Sequence, residues 1–202
     1  MADKRSLSLE GPALVAWAAL ASAVIVLIAV LLPGSVEQEI RRVVRASAKF
    51  SVVCFALAFA ASSLRHFWRV PASAWLLRNR RYMGLSFALF HFLHLAALIA
   101  WGLSTPEFRE NLDALTLVGG GTAYVFVAAQ ALTSNDASVR LLGRQRWTLL
   151  HTLGSYTVWA VFTFTYLPIA IAKPWAAAAS ALLFATLGLR IARRVQRKRR
   201  PG

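Results

Sequence analysis

Six long apolar runs, none containing an aspartate or a glutamate, constrain this chain more than any other feature. A membrane-crossing helix needs roughly 20 mostly apolar residues to traverse about 30 Å of hydrocarbon. Runs of that kind occupy approximately residues 11–32, 48–64, 82–103, 114–133, 147–167 and 174–189. Of 202 residues, 58% are hydrophobic and 15% charged, against roughly 45–50% and about 25% in soluble domains. A single water-soluble core of this length could not bury that much apolar surface. The expected fold is all-α: a six-helix transmembrane bundle forming one domain over residues 1–202. The prolines fit this partition, since Pro12, Pro33, Pro71, Pro106, Pro168, Pro174 and Pro201 all fall near the ends of the runs or outside them. There a missing N–H breaks no helix interior.

The net charge of +15 does not point to nucleic acid, because the basic residues sit in short clusters between apolar runs, the pattern of membrane loops. An excess of Lys and Arg marks the cytoplasmic side. With the N-terminus inside, that side holds Lys4 and Arg5; Arg65, Arg69, Arg78, Arg80 and Arg81; Arg140, Arg144 and Arg146; and the tail from Arg190 to Arg200. The outer segments hold Arg41, Arg42, Arg45, Lys49, Arg109 and Lys173, mixed with Glu37, Glu39, Glu107, Glu110 and Asp113. Both termini are therefore expected in the cytoplasm. The first outer loop, with four cations, is the one segment that runs against the rule. The basic tail suits an anchor to anionic headgroups or a docking site for a cytoplasmic partner. Lys4 and Arg5 precede the first run as in a secretory leader. That run is longer than a leader's apolar core and no clear small-residue cleavage site follows Leu32, so it is expected to stay in the mature protein. The lone Cys54 excludes an intrachain disulfide.

Ionisable groups held at membrane depth are costly and tend to carry function. The runs lack the carboxylate that ion-coupled transport usually needs. No serine–histidine–carboxylate set, zinc motif or phosphate-binding glycine loop is present. What remains is histidine: His91 and His94 in the third run, His151 in the fifth. Paired histidines on facing helices can hold a haem iron, and single ones can hydrogen-bond a neighbouring helix. His94 points about 60° away from His91 around a helix and cannot easily serve the same iron. The third and fifth runs cross in the same direction. At ~1.5 Å per residue, His91 lies about 15 Å beyond Arg81, and His151 about 7–8 Å beyond Arg146. That mismatch of roughly 7 Å needs helix tilt or a snorkelling arginine. His91 with His151 is the best pair. Near them, Gly84, Ala88, Gly154 and Ser155 leave room either for a flat macrocycle or for close helix packing.

Two stretches, LLRNRRYMGLSFALFHFLHL at 76–95 and ALTSNDASVRLLGRQRWTLLHTLGSYTVW at 131–159, resemble the ferric-reductase-like transmembrane domain. Within that family they are similar to the haem-binding membrane subunit of the bacterial periplasmic protein-methionine-sulfoxide reductase system. The resemblance implies one haem b between the third and fifth helices, with His91 and His151 as axial ligands to the iron. Arg81, Arg144 and Arg146, with Arg80, stand where cations could meet the haem propionates; their simpler reading is topology signalling. Such subunits pass electrons across the inner membrane to a periplasmic acceptor protein, and some are associated with FMN. No loop here is long enough for a flavin-binding domain, so the donor would be a separate reductase or a quinol. The family commonly carries a further histidine near the outer end of the fifth helix. The matching position here is Phe164, which implies a single haem nearer the cytoplasmic half. Trp159, Phe162, Phe164 and Tyr166 would line the way to the outer face. A haem-free membrane scaffold or assembly subunit of the same fold is the alternative.

Overall fold

Where a turn-forming polar residue precedes an apolar run, helices begin, and the computed structural model describes residues 9–199 in those terms. Lys4, Arg5, Arg200 and Pro201 lie outside the described residues. Among the described residues the regular elements are helices, with no strand. In order they are α1 (Pro12–Leu31), α2 (Val36–Phe67), α3 (Pro71–Arg78), α4 (Arg80–Ser104), α5 (Pro106–Glu110), α6 (Ala114–Leu132), α7 (Asp136–Leu142), α8 (Arg144–Tyr166) and α9 (Pro174–Arg199), with a 3-10 turn at Leu167–Ile169 before α9. Pro12, Pro71, Pro106 and Pro174 each open a helix, where a missing N–H costs nothing.

Four of these helices, α1, α2, α4 and α9, are long and apolar enough to cross a membrane. A fifth span arises if Thr116–Leu132 and Asp136–Leu142 count as one, although they are bent by 106°. The structure thus carries four to five candidate spans. The sixth expected crossing rests on α8, which falls short of that apolarity. Its Arg144, Arg146, His151, Thr152 and Ser155 dilute it, and three of these face an internal cavity described below.

The expected boundaries shift most at α2. The expected second run began at residue 48, but the helix starts at Val36 and is 32 residues long. Ser35 explains the start. Its Oγ accepts from the Gln38 N–H while its own N–H donates to Gln38 Oε1, a reciprocal cap that satisfies two orphan donors. The four cations of the supposed loop are therefore helical, and three of them are engaged. The Arg42 guanidinium donates to the carbonyls of Ala29, Leu32 and Pro33, capping the end of α1 where carbonyls lack intrahelical partners. Arg41 pairs with Glu37 at 3.3 Å and lies over the Trp101 ring, and Lys49 lies over Trp175. Local capping and packing account for basic residues at this end.

α2 packs along α4, α1 leans on both, α6 runs along α8, and α9 closes against α2 and α8. At the centre, Phe55, Phe59, Phe87 and Phe162 meet with Val127, Val158 and Leu183. The Phe55 ring stands 5.3–5.4 Å from those of Phe59, Phe87 and Phe162, in the offset and edge-on geometries aromatic quadrupoles favour. The outer surface is apolar as well: Leu20, Leu27, Leu117, Val125 and Leu132 are exposed, as a lipid-facing surface requires. α4 and α8, which carry the histidines, meet at the Phe162 ring of α8, which stands 5.4 Å from the His91 ring and 6.0 Å from that of Phe87.

Candidate functional site

Between α4 and α8 lies a cavity of about 440 Å³, within the usual range of small-molecule sites. α4 contributes Arg80, Arg81, Gly84, Phe87 and Ala88; α8 contributes Trp147, Thr148, His151, Thr152 and Ser155. Phe55 and Phe59 of α2, Val127 and Gln130 of α6, and Arg190 of α9 complete its main walls.

His151 is held by the turn that precedes its helix. Gly143, with φ +74°, joins α7 to α8 in a conformation that side chains rarely tolerate. The Trp147 indole then donates to the Thr133 carbonyl at 2.9 Å, and its ring stacks on the His151 imidazole at 4.0 Å. Thr133 Oγ1 sits 3.1 Å from His151 Nε2. Arg81 reaches across to the same segment, donating to the Ser134 carbonyl at 2.6 Å and pairing with Asp136 at 3.1 Å. The RR-x-x-G and TS…RLLG…W…LH stretches therefore form one connected cluster.

His91 is buried one turn further along α4. It does not line the cavity; its ring stands 5.3 Å from that of Phe87, which does. Nδ1 of His91 is 3.1 Å from Ser51 Oγ on α2, and its ring stacks on Tyr124 of α6 at 4.5 Å. The depth offset expected from the sequence has its counterpart here: α4 presents Gly84 and Ala88 to the cavity that His151 lines. His94 turns away and donates from Nδ1 to the Val44 carbonyl at 3.0 Å, a hydrogen-bonding residue between α4 and α2.

The small residues divide between two tasks. A Cβ on Gly84 would meet nothing within 4 Å, so this position holds open space beside the cavity. A Cβ on Gly154 would lie 2.5 Å from Gln130 Nε2 and 3.0 Å from Phe126, so that glycine lets α6 and α8 approach closely. Gln130 uses the approach to donate to the His151 carbonyl at 3.0 Å.

Among the cations, Arg80, Arg81 and Arg190 line the cavity, whereas Arg144 and Arg146 are exposed and do not. Arg190 was assigned to the basic tail by sequence reasoning. Its guanidinium lies 4.0 Å from the Phe59 ring centroid and donates to the Phe59 carbonyl at 2.9 Å. The signal was its position as the first cation after the last apolar run. Phe164 is 80% exposed and faces away from the bundle, so it takes no part in an aromatic path. Phe162 and Tyr166 point inward, and their rings are 5.9 Å apart.

Comparison with known proteins finds similarity to haem-binding subunits. The chain is 33% identical over 110 residues, 53% of its length, to the "Protein-methionine-sulfoxide reductase heme-binding subunit MsrQ" of Bordetella parapertussis. It is 31% identical over 114 residues to the protein of that name from Ralstonia nicotianae, and 30% over 114 residues to that from Polaromonas naphthalenivorans. The chain is similar to these haem-binding subunits. The similarity covers 55% and 54% of this chain in the latter two cases, and the chain spans about half the length of the curated relatives it matches. No family model matches the chain, and no solved structure does. The relatives are named for haem and not for a flavin, so the FMN expectation rests on the sequence resemblance alone.

Proposed function

We propose that the chain is a haem-binding, electron-transferring membrane subunit, with its haem held between α4 and α8. The observation that carries this reading is the cavity that these two helices line together, with His151 in its wall and open space over Gly84. The residues present fit a haem. His151 would supply an imidazole to the iron, and His91, whose Nδ1 is 3.1 Å from Ser51 Oγ, would leave Nε2 for the iron when Nδ1 donates to that hydroxyl. A hydroxyl that accepts from Nδ1 in this way orients a ligand histidine. Arg80, Arg81 and Arg190 offer guanidinium groups to carboxylates; Arg144 and Arg146 are weaker candidates because they stand outside the lining. A bound haem would supply a one-electron carrier. The apolar walls from Phe55, Phe59, Phe87 and Val127 exclude water from it.

In this reading the bundle crosses the bacterial inner membrane six times, α8 included, with both termini cytoplasmic. The polar face of α8 then points into the site rather than into lipid. The single haem b would be served by a separate reductase or a quinol as donor and by a periplasmic protein as acceptor. A second reading, a haem-free scaffold of the same fold, is favoured by one observation: His91 lies off the cavity. The reduced-minus-oxidised spectrum of the purified chain separates the two. A Soret band with one haem per chain, lost in His91→Ala and in His151→Ala and kept in His66→Ala, supports the haem reading. A colourless protein that takes up no added hemin refutes it.

A further inference from the structure

A second concavity, distinct from the one between α4 and α8, opens where α2 ends. It measures about 540 Å³ and is lined by Ser62, Arg65, His66, Arg69, Leu77 and Arg193. Three arginines thus converge on one hollow from α2, the connector after it, and α9, and no carboxylate lines it. None of the ion pairs among the described residues involves Arg65, Arg69 or Arg193. Arg193 Nε is buried without a hydrogen-bond partner among the described residues. Such a group costs free energy unless a ligand or water satisfies it. The hollow is also structured: His66 Nε2 and Gln196 Oε1 meet at 3.0 Å, fastening the end of α2 to α9, and Arg80 donates to Ser62 Oγ. Among the described residues Arg65 donates only to the Val70 carbonyl; convergent guanidinium groups with no carboxylate partner select an anion, and phosphate oxygens match them best.

Its surroundings select the source of the phosphate. The hollow lies at the end of a membrane-length helix, beside exposed Trp68, Val70 and Leu77. An exposed tryptophan next to apolar side chains at a helix end is the signature of the headgroup level of a bilayer. We propose that this hollow binds the phosphate diester of an anionic phospholipid, with Arg65, Arg69 and Arg193 on the phosphate and Leu77 against the glycerol or acyl chain. The site is independent of haem and stands whether or not the cavity holds one.

Native mass spectrometry of the full chain, released from nanodiscs containing equal phosphatidylglycerol and phosphatidylcholine, tests this. Preferential retention of phosphatidylglycerol is expected. Each arginine replaced by glutamine should weaken it roughly fivefold, and Arg65→Gln/Arg69→Gln/Arg193→Gln together on the order of a hundredfold. Arg197→Gln, on the same tail but outside the hollow, should keep the preference. Arg69→Gln alone, on an exposed connector, guards against misfolding of the triple variant. Equal retention of both lipids by the unmodified chain, or undiminished preference in the Arg69→Gln and triple variants, overturns the proposal. Displacement of the lipid by millimolar inorganic phosphate, with no lipid preference left in its absence, would assign the hollow to a free anion and overturns the lipid source.

Discussion

Thr133 Oγ1 lies 3.1 Å from His151 Nε2 while its own hydroxyl donates to the Ala129 carbonyl at 2.6 Å. A hydroxyl has one proton to give. The imidazole is therefore the donor in the contact, Nε2 carries the proton, and Nδ1 keeps its lone pair. Loss of a partner that orients a ligand histidine typically lowers metal affinity about 10–100-fold. Thr133→Val should weaken hemin binding by that order in a titration followed at the Soret band, and Thr133→Ser should restore it. Unchanged affinity in Thr133→Val would mean that the ring turns away from Thr133 when haem binds.

Gly84 and Gly154 make a paired test of space. Gly154→Ala forces a Cβ to within 2.5 Å of Gln130 Nε2, and overpacking of this kind costs about 1–3 kcal/mol. A lower thermal midpoint in detergent is expected. Gly84→Ala meets nothing and should keep the midpoint. Gly84→Phe should likewise fold, yet take up no hemin, because the ring enters the cavity.

Two phenylalanines near the end of α8 should respond oppositely. Phe162 is 6% exposed within the aromatic centre, whereas Phe164 is 80% exposed. Phe162→Ala should cost about 3 kcal/mol, the low end of the ~3–5 kcal/mol range, because lipid is as apolar as the interior and mainly packing is lost. Phe164→Ala should fall within about 0.5 kcal/mol of the parent and keep any haem. Unfolding in mixed detergent–denaturant measures both.

Arg42 is expected to act on stability and not on topology. Replacing it with alanine leaves the carbonyls of Ala29, Leu32 and Pro33 without their charged donor. A hydrogen bond to a charged group contributes about 1.5–3 kcal/mol, so the thermal midpoint should drop. A cysteine-accessibility map of the termini should be the same in Arg42→Ala as in the parent. A flipped map would return Arg42 to the role of a topological charge.

Much of the architecture was legible before any contact was known. Apolar runs without carboxylates must be helices packed in lipid, because a backbone in hydrocarbon has to satisfy its own hydrogen bonds. The prolines marked helix starts because their missing N–H is tolerated there. The pairing of the 76–95 and 131–159 stretches was legible as a pattern, and Arg81 with Ser134 and Asp136 now ties them in space. The start of the second helix was placed too late because four cations interrupt its apolar pattern. Only the fold places Arg42 over the end of α1, and only Ser35 with Gln38 starts α2 so early.

The sequence by itself determined a helical membrane protein and marked the two histidines worth testing, since these depend on local composition and spacing. Tertiary structure alone decided which side chains share a cavity. It put Arg190, from the far end of the chain, into the lining and left Arg144 and Arg146 outside. It set His91 one turn behind the wall that holds His151. Helix tilt and rotation are set by packing against neighbours, and no local pattern in a single run records them.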